Sequence, residues 1–263
     1  MVDTPRSNGW RQWGLWTVAC AVGLLVAAGF AGALSGMATA IVMAFESGDT
    51  GKLADAPAAG AMSGLIFALL MGAPAIAYAV LGGDAAAGPA GQVVMAMATL
   101  AAAGLAIGVF QFDVLRRNRL AHWSWITATI VGWMLAGALL PVVLNKVVLP
   151  IESTTAIVPT DGAHSATPPA ATWDSLQWAS GGCLMGLLGG SASGALQSLV
   201  LRQRRVRVGW WVPVNAAGWA LGGAVAALVF TGAGLVLGGA IAGLITGPIL
   251  FRLLQPPSAA KRA

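Results

Sequence analysis

Residues 104–137, GLAIGVFQFDVLRRNRLAHWSWITATIVGWMLAG, decide the fold of this chain, because their pattern returns at residues 190–223, GSASGALQSLVLRQRRVRVGWWVPVNAAGWALGG. Both stretches contain Gly-x3-Gly-x2-Gln-x3-Leu-Arg followed by Trp-x6-Gly-Trp-x3-Gly, at a constant shift of 86 residues. Two blocks that match at one offset are hard to attribute to composition alone. They therefore indicate an internal repeat, a common feature of membrane folds.

Each copy combines long apolar segments with a cluster of arginines. Hydrophobic residues make up 57% of the 263 residues and charged residues only 9%, whereas an ordinary soluble domain carries roughly a quarter charged residues. The apolar segments are long enough to cross about 30 Å of hydrocarbon. They run at about 13–45, 60–81, 90–115, 123–149, 174–201, 210–230 and 233–253. The sequence thus predicts an all-α, polytopic transmembrane bundle of seven to eight helices.

Weaker copies of the pattern bracket the two strong ones. Trp16-x6-Gly23 lies near the start of the chain, and Gly239-x3-Gly243 near its end leads into Phe251 and Arg252. We therefore predict a single membrane domain of about three helical-hairpin repeats in the same orientation. Their bounds are about 10–119, 120–207 and 208–254, and a disordered tail is expected at 255–263.

The positive charges lie next to the apolar segments. The net charge is +5 and the isoelectric point is about 10, but the basic residues do not form the continuous basic face typical of nucleic-acid binding. Arginines at segment ends are typical of cytoplasmic loops. We expect the clusters at 116–119 and 202–207 and the C-terminus to be cytoplasmic, in a chain embedded in the lipid bilayer of the cell membrane.

The first repeat raises a question of parity. A repeat that begins and ends in the cytoplasm needs an even number of crossings, yet the first shows three apolar segments. Residues 13–45 would stretch about 50 Å as one helix. One interpretation folds them into a hairpin near Gly29 to Gly36, which makes eight crossings. The alternative has seven helices and an N-terminus outside.

The glycines of the repeat form a ridge along one helix face. Gly104, Gly108 and Gln111 are spaced by four and three residues, which places them on one side of a helix. Gly190, Gly194 and Gln197 repeat that spacing. Such faces let neighbouring helices approach closely in lipid. Helix packing is the favoured interpretation, and lining of a solute path by the two glutamines is the alternative.

Tryptophans crowd next to the basic patches, where an amphipathic ring suits the headgroup layer. On this basis we predict five interface anchors: Trp16, Trp123, Trp125, Trp210 and Trp211. Trp133 and Trp219 lie deeper, beside a glycine, and are candidates for specific packing.

Charged residues near the membrane boundary are few. Asp113 precedes Arg116 and Arg117 by three and four residues. That spacing predicts ion pairs on one helix face at the cytoplasmic boundary.

The paired pattern of the two strong copies resembles a loose group of uncharacterised bacterial multi-pass membrane proteins, which carry repeated glutamine/arginine and tryptophan/glycine helices. The resemblance covers most of residues 104–223 and is weaker elsewhere. It implies a membrane repeat fold and carries over no activity and no catalytic residue.

Residues able to do chemistry are scarce. The two histidines, His122 and His164, lie at a membrane boundary and in a loop, and the cysteines Cys20 and Cys183 are isolated. We therefore expect no enzyme, no cofactor and no metal site. The leading expectation is a non-enzymatic accessory or scaffold subunit that associates through glycine-ridged helices, as a homo-oligomer or in a larger membrane complex. The alternative is a transporter or channel for a small neutral or weakly polar solute.

Overall fold

The computed structural model describes residues 9–46, 55–71, 88–117, 122–143, 175–203, 208–229 and 231–254. Within these ranges the chain is helical and contains no strand. The helices are α1 (Gly9–Glu46), α2 (Ala56–Met71), α3 (Gly88–Arg117), α4 (Ser124–Val143), α5 (Ser175–Arg202), α6 (Trp211–Leu228) and α7 (Gly232–Leu254). The predicted tail at 255–263 and the arginines at 119, 204, 205 and 207 lie outside the described residues.

Six of the described helices are long and apolar enough to cross a bilayer. These are α1, α3, α4, α5, α6 and α7, whose candidate spans run from 18 to 25 residues. Helix α2 contains a shorter apolar segment, Pro57–Ile66. The prediction of a multi-pass helical membrane bundle is confirmed, because about 20 apolar residues are what one crossing requires.

The six long helices form a closed ring. Each packs against two ring neighbours, in the order α1, α3, α4, α5, α6, α7 and back to α1. Helix α2 packs along α1 and touches α7 without joining the ring. The centre is filled by side chains, and the largest fully buried ones include Trp16, Trp125, Trp211, Leu100 and Leu235.

The interpretation that folds residues 13–45 into a hairpin is wrong. Helix α1 continues without a break from Gly9 to Glu46, 38 residues, or about 57 Å at 1.5 Å per residue. The glycines that suggested a turn instead permit close packing on α2. A Cβ atom on Gly36 would collide with the backbone of Gly60 and lie 2.9 Å from Cα of Gly64. They mark a helix contact and not a chain reversal.

The arginine-bearing helix ends lie together. Trp16 near the start of α1 contacts Thr246 near the end of α7, and the starts of α4 and α6 contact the ends of α3 and α5 in the same way. The start of α1 therefore shares one end of the bundle with Arg116, Arg202 and Arg252. We call it the arginine end. This arrangement is incompatible with the alternative that put the N-terminus on the side opposite the arginines.

Candidate functional site

Two tryptophan–glutamine pairs lie inside the ring near the arginine end. The indole Nε1 of Trp125 donates to Oε1 of Gln111 at 3.1 Å, and that of Trp211 donates to Oε1 of Gln197 at 3.2 Å. Both glutamines are only 2% exposed. The two bonds occupy positions related by the same 86-residue shift as the sequence motifs. Each bond joins a glycine-ridged helix to the tryptophan-bearing helix that follows it in the chain.

A third bond completes the set between the last helix and the first. The indole Nε1 of Trp16 donates to Oγ1 of Thr246 at 2.9 Å, across 230 residues of chain. Thr246 follows Gly239 and Gly243 at the spacing that Gln111 follows Gly104 and Gly108. Sequence reasoning missed Thr246 because its residue type differs from glutamine, although the spacing alone pointed to it.

The glutamines also reach the tryptophan-bearing helix that precedes them. Nε2 of Gln197 donates to Oγ1 of Thr129 at 2.9 Å, and Nε2 of Gln111 lies 3.5 Å from Sγ of Cys20. Cys20 and Thr129 each lie four residues after the tryptophan of their own helix. Each glutamine thereby ties three helices together.

Helices α6 and α7 meet their polar groups differently. The position four residues after Trp211 is Asn215, and its Nδ2 donates to the carbonyl of Gly190 at 2.7 Å. The Thr246 hydroxyl donates to the carbonyl of Ala242 in its own helix. Threonine is short and has a single hydroxyl, so Thr246 accepts from Trp16 without also bonding to α6. We call the whole set the polar belt: Trp16, Trp125, Trp211, Gln111, Gln197 and Thr246.

The belt tryptophans also contact one another. The ring centroids of Trp125 lie 6.2 Å from those of Trp16 and 6.0 Å from those of Trp211. All three side chains are 0–2% exposed. The expectation that Trp16, Trp125 and Trp211 anchor the protein in the headgroup layer is therefore wrong. Burial of a large ring is favourable here because each indole N–H finds an acceptor.

Trp123 and Trp210 have the opposite surroundings. Their side chains are 70% and 75% exposed, at the arginine end of the ring, and Trp123 stacks on Phe112 at 4.7 Å. Their role as interface anchors stays a prediction.

The glycine ridges face other helices of the same chain. A Cβ atom on Gly104 would lie 2.9 Å from Cα of Ile130 in α4, and one on Gly190 would lie 2.7 Å from the carbonyl oxygen of Asn215 in α6. Gly108 faces α4 and Gly194 faces α6 in the same manner. The third ridge, on α7, contacts α1, where a Cβ on Gly239 would lie 2.7 Å from Cα of Ala21. These faces are filled within the chain.

The boundary charges pair as predicted. Arg117 Nε donates to Asp113 Oδ2 at 2.8 Å, and Arg116 Nη2 donates to Oδ1 at 3.2 Å. Deeper in the ring, Trp133 meets Trp219 edge to face at 5.2 Å. The indole Nε1 of Trp133 and the hydroxyl of Thr99 are buried without a hydrogen-bond partner among the described residues.

Over the described ranges, no group of three or more His, Cys, Asp or Glu residues could hold a metal ion. The fold and the polar belt define a multi-pass helical membrane protein whose helices are joined in the interior by side-chain hydrogen bonds. Comparison of the chain with protein-family models, curated proteins and solved structures found no match. The resemblance to bacterial multi-pass proteins stays a prediction.

Proposed function

We propose that the chain is a non-enzymatic accessory or scaffold subunit of the cell membrane, with the arginine end in the cytoplasm. The observation that carries this proposal is the polar belt. Its three tryptophan hydrogen bonds use interior polar groups to join helices. One of them joins α7 to α1 across 230 residues of chain. A ring tied in this way supplies a rigid body in the bilayer.

The structure changes how such a subunit would bind partners. The glycine ridges were expected to dock on other proteins, but they pack on neighbouring helices of the same chain. Partner contacts therefore fall to the outer faces. Helix α2 is the favoured partner-binding surface, because it lies beside the ring and its Met62 and Ile66 side chains are 61% and 51% exposed. A flexible methionine suits an adaptable contact surface.

The cytoplasmic placement rests on charge. Arg11, Arg116, Arg117, Arg202 and Arg252 all lie at the arginine end and are exposed. Basic residues at helix ends favour the cytoplasmic side. A cysteine introduced at residue 10 and labelled in intact cells by an impermeant maleimide tests this: labelling before the membrane is opened would refute the orientation.

Native mass spectrometry of the protein extracted in lipid nanodiscs tests the scaffold role. We expect a stoichiometric partner or a homo-oligomer in the wild type. Ile66→Trp, which enlarges the outer face of α2, should weaken that association. Leu139→Trp is the matched control, because Leu139 on α4 is exposed to a similar degree, 53%. A wild type recovered only as a monomer would count against the proposal.

Solute transport is the rival function, and the matched glutamines were its motivation. Both carboxamides now have partners inside the polar belt, on their oxygen and on their nitrogen. Transport along Gln111 and Gln197 would require those bonds to be exchanged for bonds to the solute. Saturable uptake into proteoliposomes that disappears in the double alanine variant would favour the rival over the scaffold role.

A further inference from the structure

A groove lies on the outer surface of the ring, between α1 and α3. Its volume is about 220 Å³, below the roughly 300–1,000 Å³ of pockets that enclose small-molecule ligands. One wall is formed by Leu15, Val18 and Val22 of α1, and the other by Phe110 and Val114 of α3. The dimensions and the apolar walls suit part of a hydrocarbon chain.

A charged pair lines this groove on the side nearest the arginine end of the bundle. Asp113 and Arg117 belong to its lining. The Arg117 guanidinium contacts Asp113 through Nε and Nη2, and its side chain is still 64% exposed. Arginine has five N–H donors, so the Nη1 hydrogens lie outside this pair. With Arg116, which also contacts Asp113, the cluster has a net charge of +1.

The fold itself does not require this charged pair. At the 86-residue shift, Asp113 corresponds to Leu199 and Arg117 corresponds to Gln203. The second copy keeps the glycine ridge, the glutamine and the buried tryptophan without either charge. A cation beside an apolar groove is therefore a feature of α1 and α3 that the second copy lacks.

We propose that the α1–α3 groove binds one anionic phospholipid from the leaflet at the arginine end. The phosphate contacts the Arg117 guanidinium, and an acyl chain lies along Val18, Val22 and Phe110. A guanidinium matches the geometry of a phosphate in a way that an ammonium does not. The net positive charge of the cluster selects an anionic headgroup over a zwitterionic one.

Asp113 serves as a positioning residue in this site. By accepting from Nε, it holds the Arg117 side chain over α3 at the mouth of the groove. The stacked rings of Phe112 and Trp123 lie beside the same helix end, at the level where aromatic side chains meet headgroups.

Native mass spectrometry of the delipidated protein, titrated with phosphatidylglycerol or phosphatidylcholine of identical acyl chains, tests the site. We expect the first phosphatidylglycerol to bind several-fold more tightly than phosphatidylcholine. Arg117→Gln, which installs the residue of the second copy, should weaken that binding about fivefold, the effect of one basic residue near an anionic surface. Arg202→Gln removes the same charge from the same end, outside the groove, and should change the affinity less than twofold.

A second variant tests the acyl-chain part of the site. Val18 is 57% exposed, so Val18→Trp should fold normally and fill the groove, and it should abolish the preferred first binding event. Equal affinities for the two lipids, equal effects of Arg117→Gln and Arg202→Gln, or full binding by Val18→Trp would each overturn the proposal. These outcomes concern lipid alone, so they are independent of whether the ring binds a protein partner.

Discussion

Thr246 accepts the hydrogen bond that closes the ring, and its replacement by valine is the sharpest test of the fold. Valine has the shape of threonine without the hydroxyl. In Thr246→Val the indole of Trp16, which is fully buried, loses its acceptor at 2.9 Å. The backbone of α7 is untouched, since the Thr246 hydroxyl donates only to Ala242 of its own helix. The substitution thus removes the side-chain hydrogen bond between α7 and α1 and leaves the glycine-ridge packing of the two helices in place.

The expected cost can be worked from that one bond. Interhelical side-chain hydrogen bonds in membrane proteins average about 0.6 kcal/mol and reach about 1.7 kcal/mol. A buried donor left without a partner costs about 1–3 kcal/mol. The two estimates describe the same loss and are not summed. We expect Thr246→Val to lower the free energy of unfolding by about 1–2 kcal/mol, near the upper membrane value because the indole has no route to solvent.

Unfolding of the micellar protein by SDS, followed by circular dichroism, measures this change. Thr246→Ser keeps the hydroxyl and should stay within about 1 kcal/mol of the wild type, the cost of one buried methyl group. In a Trp16→Phe background the donor is already gone, so Thr246→Val should cost about 0.6–1.7 kcal/mol less there. If Thr246→Val matches the serine variant and shows no coupling to Trp16→Phe, the reasoning about ring closure is refuted.

Two further predictions concern the ridge contacts. A Cβ on Gly132 would collide with the backbone of Ser193 in α5, so Gly132→Ala should lower the free energy of unfolding by about 1–3 kcal/mol through overpacking. Gly14→Ala is the control, because a Cβ on Gly14 meets nothing within 4 Å. Equal unfolding midpoints for the two variants would contradict the packing. A Cβ on Gly194 would lie 3.2 Å from that of Asn215, so Gly194→Cys with Asn215→Cys should form a disulfide between α5 and α6 on oxidation. With a protease site placed between residues 203 and 208, the fragments should stay joined without reductant, and separation as in the single-cysteine controls would show that α5 faces elsewhere.

Local features of the chain could be read from the sequence because they depend on spacing along one helix. The apolar segments predicted the long helices, and the i to i+3 and i to i+4 spacing predicted the pairs of Asp113 with Arg116 and Arg117. The glycine and glutamine spacing predicted a common face. Each of these needs only the 3.6-residue period of the helix.

The burial of individual tryptophans could not be predicted from spacing along one helix. Trp210 and Trp211 are neighbours in sequence beside the same basic patch, yet one is 75% exposed and the other is fully buried. Their difference comes from helical phase relative to a ring whose centre the sequence does not locate. Proximity to arginine was therefore a poor guide to whether a tryptophan faces the headgroups or the interior.

The sequence by itself determined that this protein crosses a membrane repeatedly and that its glycine, glutamine and tryptophan positions recur at one shift. Only the tertiary structure decided which helix each face meets. The ridges of α3 and α5 pack on the next helix in the chain, whereas the ridge of α7 packs on α1, the first helix of the chain. Spacing along a helix defines a face, but the partner of that face is set by ring closure, which brings Thr246 to Trp16 across 230 residues.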